Sequence, residues 1–181
     1  MKRVFFFSGF LLAAALLIAQ APDFIVKDRV LVKYRGAAQL VAIPSNLGVD
    51  RIGERAFAGT PLVSVKIPPG IAFIDERAFA GCSFLTEVSL PNTLTVIGRR
   101  AFFNCVMLEK INLPRSLISI GDGAFFNCRS LRELDIPDTL RTIGGRAFSG
   151  CLGLEKFSLS RRTKLGEHAL MGLRCPVDYK D

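Results

Sequence analysis

The segment Pro91–Leu113, P-N-T-L-T-V-I-G-R-R-A-F-F-N-C-V-M-L-E-K-I-N-L, is followed at once by a second version of itself. Residues 114–136 are P-R-S-L-I-S-I-G-D-G-A-F-F-N-C-R-S-L-R-E-L-D-I, with the same residue types at the same offsets. Proline recurs with a period of 23, at Pro68, Pro91, Pro114 and Pro137. A fixed period in this range is typical of a solenoid, in which each unit buries its apolar face against its neighbours. The sequence therefore predicts one elongated domain of stacked rungs, one repeat unit per rung.

Each unit contains a short alternating apolar pattern that predicts a β-strand. Leu85-x-x-Val88-x-Leu90 precedes Pro91, and 108–113, 131–136 and 154–159 repeat the pattern. Alternation places the leucine-type residues inward, and proline ends the strand because it cannot donate to the ladder. Stacking predicts a single parallel sheet on one face, called the strand face below.

Several positions hold the same residue type in every unit and so form columns along the stack. Phenylalanine recurs as Phe57, Phe79, Phe102, Phe125 and Phe148, and alanine precedes it each time. These rings are expected to stack inside the solenoid. Glycine or asparagine alone occupies a further column: Gly59, Gly81, Asn104, Asn127, Gly150 and Gly172. Those residues most readily adopt positive φ, which predicts a tight turn. A second such turn is suggested at Gly53, Asp75, Gly98, Gly121, Gly144 and Gly166.

The five cysteines favour packing over chemistry. Cys82, Cys105, Cys128 and Cys151 occupy one column, while Cys175 lies outside it. Equivalent side chains on neighbouring rungs point the same way, which is poor disulfide geometry, so buried reduced thiols are expected. The chain has no short Cys-x-x-Cys pair and only one histidine, His168, which favours a surface position in the last unit. No metal site, cofactor or catalytic constellation is expected.

The N-terminus predicts export. Lys2 and Arg3 precede an uncharged apolar run, residues 4–19, which is typical of a secretory signal, and residues 1–21 are interpreted as that peptide. An uncleaved membrane anchor is the alternative. The chain is 50% hydrophobic with a net charge of +8. The expected location is periplasmic, outer-surface or secreted, and a nucleic-acid partner is not expected.

The mature chain divides into three parts. Residues 22–43 predict an N-terminal hairpin cap and a first strand, and residues 44–160 form five leucine-rich repeats of about 23 residues. Residues 161–181 predict a degenerate capping half-repeat and tail. Within the tail, residues 178–181 match the start of a common epitope tag and are left out of the interpretation.

The repeat pattern L-P-x-x-L-x-x-I-G-x-x-A-F-x-x-C-x-x-L-x-x-I-x-L resembles the BspA-like, or treponemal-type, leucine-rich repeat. The resemblance covers roughly residues 40–173. It implies a right-handed, curved α/β-type leucine-rich repeat solenoid, built mainly from short parallel strands and turns or short helical turns. It also implies an exported bacterial protein that takes part in adhesion or partner binding.

Three surfaces are candidate contact sites for a partner. The strand face presents Glu87, Lys110, Glu133 and Lys156 in one outward column, with Asn112 and Asp135 in the next. Their alternating charges also fit a self-compensating ladder that only keeps the face soluble. Phe103 and Phe126 follow the core ring in two adjacent units and predict either an exposed patch or a cover for the core edge. Arg55, Arg77, Arg100 and Arg146, with Arg99, Arg115, Arg129 and Arg141 nearby, predict a basic stripe or a merely solvated surface.

The favoured hypothesis is a non-enzymatic protein–protein or host-surface interaction module of adhesion type. The alternative is a structural or assembly component of the bacterial envelope, without an external ligand.

Overall fold

The computed structural model describes residues 23–180. The predicted signal peptide, residues 1–21, lies outside this range. Within the range, no helix has the length and apolarity needed to cross a bilayer. The described residues include a single 3₁₀ turn, Ser45–Leu47.

Strands make up the rest of the regular structure. In chain order they are β1 (Phe24–Lys27), β2 (Val30–Tyr34), β3 (Leu40–Ala42), β4 (Arg51–Ile52), β5 (Ser64–Lys66), β6 (Phe73–Ile74), β7 (Glu87–Ser89), β8 (Val96–Ile97), β9 (Lys110–Ile111), β10 (Ser119–Ile120), β11 (Glu133–Asp135), β12 (Thr142–Ile143), β13 (Lys156–Ser160), β14 (Lys164–Leu165) and β15 (Val177–Lys180). Each repeat contributes one odd-numbered and one even-numbered strand, which confirms the leucine-rich repeat solenoid.

The strand face carries two sheets, so the prediction of a single sheet was wrong. One sheet has the order β3-β5-β7-β9 and the other β11-β13-β15, all in parallel register. In the described chain no ladder hydrogen bonds join β9 to β11, and β9 is one residue shorter than either β7 or β11. The face is therefore interrupted between the rung of Lys110 and the rung of Glu133.

A third sheet lies elsewhere on the solenoid and was not predicted. Its order is β1-β2-β4-β6-β8-β10-β12-β14. It opens with the antiparallel hairpin β1–β2, after which each rung adds a two-residue strand in parallel. From β4 to β12 the second residue points inward and is buried, as Ile74 and Ile97 show, whereas Leu165 at the end of the sheet is exposed. Two residues are too few for a period-two pattern to be recognised in the sequence.

The predicted column of stacked rings is present. Consecutive rings from Phe57 to Phe148 are all fully buried and lie 4.9–5.3 Å apart between centroids, within 12° of parallel. Tyr34 and Phe24 continue the stack into the N-terminal hairpin, and Phe157 closes it edge-on. This phenylalanine spine runs from cap to cap, so each rung is held by the rings on both sides.

The structure confirms one of the two predicted turns and contradicts the other. The glycine and asparagine column has φ from 58° at Asn104 to 82° at Gly172. None of the residues in the second column, such as Gly98 and Gly121, has a positive φ. Those glycines instead allow the backbones of neighbouring rungs to lie close together. A Cβ on Gly121 would lie only 2.6 Å from the Arg99 backbone nitrogen. Asp75 is the exception in that column, and its carboxylate accepts a hydrogen bond from Arg51 Nη1 at 2.8 Å.

Residues 178–180, which match the start of an epitope tag, form part of β15. Ser158 pairs with Asp178, and Ser160 pairs with Lys180, in parallel register. The Lys180 ammonium also lies 3.8 Å from Asp138 Oδ1. An open strand edge presents unpaired N–H and C=O groups, so a neighbouring extended segment can pair with it.

Candidate interaction surfaces

The strand-face candidates lie in the predicted register. Glu87 pairs with Lys110 across β7 and β9, and Glu133 pairs with Lys156 across β11 and β13. Asn112 follows β9 directly and Asp135 ends β11. All six side chains are exposed, so the face is available to a partner.

Two hollows occupy this face beside the interruption between the sheets. The larger, of about 480 Å³, is lined by residues that include Glu87, Glu109, Lys110, Asn112 and Glu133. The second, of about 410 Å³, shares Asn112 and Glu133 with it and extends to Asp135, Lys156 and Asp178. The six strand-face candidates thus line these two adjoining hollows, together called the recess below.

The recess is acidic although the chain is basic. Its nine charged lining residues are Glu87, Glu109, Lys110, Arg132, Glu133, Asp135, Glu155, Lys156 and Asp178. Six are acidic and three are basic, for a net charge of −3, whereas the whole chain carries +8. Within residues 23–180, only Arg132 and Glu155 of this set come within 4 Å of each other, at 3.9 Å. Opposite charges therefore lie on neighbouring strands in the predicted register. Within residues 23–180, most of them do not form ion pairs.

Phe103 and Phe126 lie on another side of the molecule and contact each other. Their rings stack at 5.1 Å and 9°, and both are half-buried. The Arg100 guanidinium lies 5.6 Å from the Phe103 ring centroid. This Phe pair is therefore neither a fully exposed patch nor part of the core.

The arginine column, Arg55, Arg77, Arg100 and Arg146, has an unexpected backbone. All four residues have φ between 52° and 54°, with Gly123 at 59° and His168 at 56° in the same column. The left-handed region is unusual for non-glycine residues, so the repeat geometry imposes it in every rung. Of the nearby arginines, Arg115 lies apart from this column, in a hollow with Asp135 and Lys180.

The remaining titratable groups offer little for catalysis. Burial raises the pKa of the Cys105 and Cys128 thiols well above the ordinary value and that of Cys151 to about 12. Each thiol in the column donates to the Phe carbonyl of the preceding rung, as Cys105 Sγ does to Phe79 O at 3.2 Å. His168 is exposed and has Glu167 Oε1 3.2 Å from its Nδ1. Residues 23–180 contain no His, Cys, Asp and Glu group arranged to hold a metal ion.

We expect only Cys175 to react with iodoacetamide in the native protein at pH 9. An ordinary thiol is mostly ionised at that pH, whereas the pKa of Cys151 is about 12 and its side chain is inaccessible. Cys175 is partly exposed. Intact-mass analysis should show one adduct in buffer and five in urea, and Cys175→Ser should show none in buffer. Labelling of the four column cysteines in the folded protein would contradict their burial.

Sequence reasoning missed several residues around these surfaces. Glu109 and Arg132, which line the larger hollow, are not among the predicted contact residues. Asp178 was set aside with the tail, although it lines the second hollow. Gly123 stands where the other units have arginine. The 23-residue period of the sequence was sufficient to show this difference.

Comparisons with known proteins agree with this architecture. The BspA type Leucine rich repeat region matches residues 50–174 as six copies. The T. pallidum leucine-rich repeat protein TpLRR is similar at 30% identity and TM-score 0.72, over 82% of this chain and 81% of that one. A leucine rich cell surface protein of Faecalibacterium prausnitzii A2-165 is 26% identical, with TM-score 0.65, over 84% of this chain and 35% of its own.

A leucine-rich repeat protein from Bacteroides ovatus is 28% identical, with TM-score 0.64, over 81% of this chain and 43% of that chain. No curated protein matches this sequence significantly. The repeat profile covers more than half of the chain, and the TpLRR structure aligns along most of it. The chain belongs to the BspA-type leucine-rich repeat family.

Proposed function

We propose that this chain is a non-enzymatic interaction module that binds a protein partner on its strand face. The observation that carries the proposal is the acidic recess, with a net charge of −3 on a chain of +8. Its carboxylates are exposed and nearly all lack an ion-pair partner among residues 23–180. A partner with a surface patch of lysine and arginine would be electrostatically complementary to this recess. The attraction would raise its association rate constant.

An exported, adhesion-type role is consistent with this proposal. Residues 1–21 have the pattern of a secretory signal, and a similar solved structure is described as a cell surface protein. A partner on the bacterial envelope or on a host surface would then be accessible. Expression of the full chain followed by cell fractionation and N-terminal sequencing tests the export step by itself.

Charge reversal of the recess is expected to abolish partner capture. Glu109→Lys with Glu133→Lys changes the recess from −3 to +1 without touching the buried spine. Immobilised protein, without residues 1–21, would be tested against envelope fractions and extracellular-matrix proteins at low and high salt. Capture should decline by at least about tenfold in the variant, and wild-type capture should weaken with salt.

The matched control is Glu54→Lys with Glu167→Lys. It adds the same four positive charges at exposed sites outside the recess, with side chains 59% and 85% exposed. Retained capture by this control locates binding at the strand face. Equal loss in both variants would indicate that net charge alone governs binding, and equal retention would place the binding site elsewhere.

An assembly role in the envelope is the second candidate. In the described chain β15 pairs only with β13, so one strand edge is open to a further strand. Asp178 and Lys180 on β15 are the kind of charged residues that discourage edge pairing, and this ranks assembly below partner binding. Light scattering over a concentration series would reveal self-association.

A further inference from the structure

A small hollow of about 230 Å³ lies beside the Phe pair, on a different part of the surface from the acidic recess. Its lining comprises Arg99, Arg100, Phe103, Asp122, Gly123, Phe126, Gly145 and Arg146. Three arginines and one carboxylate give the lining a net charge of +2, and of the three arginines only Arg99 has an acidic partner within residues 23–180, Glu76 at 3.5 Å. An apolar floor with cationic walls has the composition of a site for an anionic group joined to an apolar one.

The hollow exists because the arginine column is interrupted. The remaining rungs from Arg55 to Arg146 all have arginine in that column, and Gly123 alone has no side chain there. Rungs stack about 4.8 Å apart, so Arg100 and Arg146 bracket the gap at roughly 10 Å. That separation allows both guanidinium groups to reach one ligand placed over Gly123.

The two bracketing arginines are also the ones without acidic partners. In the earlier rungs, Arg55 lies 3.8 Å from Glu54 and Arg77 lies 3.0 Å from Glu76. The residues that precede Arg100 and Arg146 are Arg99 and Gly145, and within residues 23–180 neither Arg100 nor Arg146 has a carboxylate within 4 Å. The single acid of the hollow, Asp122, already accepts a hydrogen bond from the Gly145 backbone at 2.6 Å. Two cations are thus available to an anionic ligand.

The Phe pair supplies the aromatic part of the lining, and both rings are half-buried. The Arg100 guanidinium lies 5.6 Å from the Phe103 ring centroid. An incoming ring can therefore pack against the accessible part of the Phe pair while its attached carboxylates contact Arg146 and Arg100.

We infer that this hollow binds an acidic peptide segment that presents an aromatic side chain next to carboxylates. The aromatic floor favours such a peptide over a sulfated glycan, which has charge but no planar apolar ring. The one-residue size of the hollow disfavours a flat lipid surface. This site is independent of the strand-face proposal, because none of its lining residues belongs to the acidic recess.

The probe is an unlabelled pentapeptide with two glutamates on each side of a phenylalanine, measured by isothermal titration calorimetry. Two matched peptides replace phenylalanine by alanine or every glutamate by glutamine. The protein without residues 1–21 is expected to bind the first peptide at least about tenfold more tightly than either control. Equal affinity for all three peptides, or no binding of the first, overturns the inference.

The decisive variant is Gly123→Arg, which restores the repeat consensus. Arginine already occupies this backbone conformation in four other rungs, and the Cβ would lie 3.4 Å from a flexible Arg100 side-chain atom. The variant should therefore fold while its side chain fills the hollow. Site-specific binding predicts at least about a tenfold loss. General charge attraction predicts tighter binding, since the variant is more basic, and that result overturns the inference.

Two further variants and two competitors complete the test. Arg146→Gln should weaken peptide binding, whereas Arg55→Gln removes the same charge outside the hollow and should leave it unchanged. Glu109→Lys with Glu133→Lys should also bind the peptide normally, which separates this site from the strand face. Heparin or anionic vesicles that bind more tightly than the peptide, through the same arginines, would identify a polyanion site and overturn the peptide assignment.

Discussion

Phe102→Ala is expected to lower the free energy of unfolding by about 3–5 kcal/mol. The Phe102 ring is fully buried between Phe79, at 5.2 Å, and Phe125, at 5.3 Å. Its removal leaves a cavity in the middle of the phenylalanine spine and deprives two rungs of their ring contact. Each rung contacts only its neighbours, so cooperativity between the two halves should weaken as well.

Phe103→Ala is the matched control, because it deletes the same side chain one residue later. Phe103 is half-buried and stacks only on Phe126, so a loss of about 1–2 kcal/mol is expected. Urea unfolding followed by circular dichroism measures both variants, and a broadened or two-step transition for Phe102→Ala would report the lost coupling. Equal destabilisation by the two substitutions would mean that the spine has no special role.

Gly121→Ala is expected to cost about 3 kcal/mol or more, through overpacking. The added Cβ would lie 2.6 Å from the Arg99 nitrogen and 2.7 Å from the Gly98 carbonyl carbon, both backbone atoms of the preceding rung. Ladder hydrogen bonds, such as Gly121 N to Ile97 O at 2.8 Å, hold these backbones together. The rungs therefore cannot separate without losing hydrogen bonds.

Gly123→Ala measures the cost of a positive φ at a position without close backbone contact, for comparison with Gly121→Ala. Gly123 has φ of 59°, yet its added Cβ would meet only side-chain atoms, at 3.4 Å and beyond. We expect a loss of about 1 kcal/mol, since the cost of the left-handed backbone is partly offset by a stiffer unfolded chain. Thermal melts of the two alanine variants give the comparison. A larger loss at Gly123 than at Gly121 would contradict the assignment of Gly121 to backbone contact.

The two surfaces differ in how far the sequence could specify them. The outward column of Glu87, Lys110 and Glu133 follows from strand alternation and the repeat period, and the register agrees with it. The hollow beside Phe126 follows only in part, because an interrupted column is visible in the sequence but the stacking of the Phe pair is not. Whether aligned charges form ion pairs depends on side-chain conformations, which periodicity does not determine.

The sequence by itself determined the solenoid, the inward columns and the position of the Gly and Asn turn. Each of these depends on which residues recur at a fixed offset, and stacking brings recurrent residues into contact in one way only. Phe102 and Asn104 illustrate this, since ring size and tolerance of positive φ are properties of single residue types.

Only the tertiary structure decided how backbones meet between rungs. Glycine at position 121 fits both a positive φ and a close approach, and only the distance to the Arg99 backbone distinguishes them. The eight-stranded sheet, the interruption between β9 and β11, and the pairing of β15 with β13 all depend on hydrogen bonds between residues far apart in the chain. Such pairing is set by the geometry of the neighbouring rung, which no local pattern in a single unit contains.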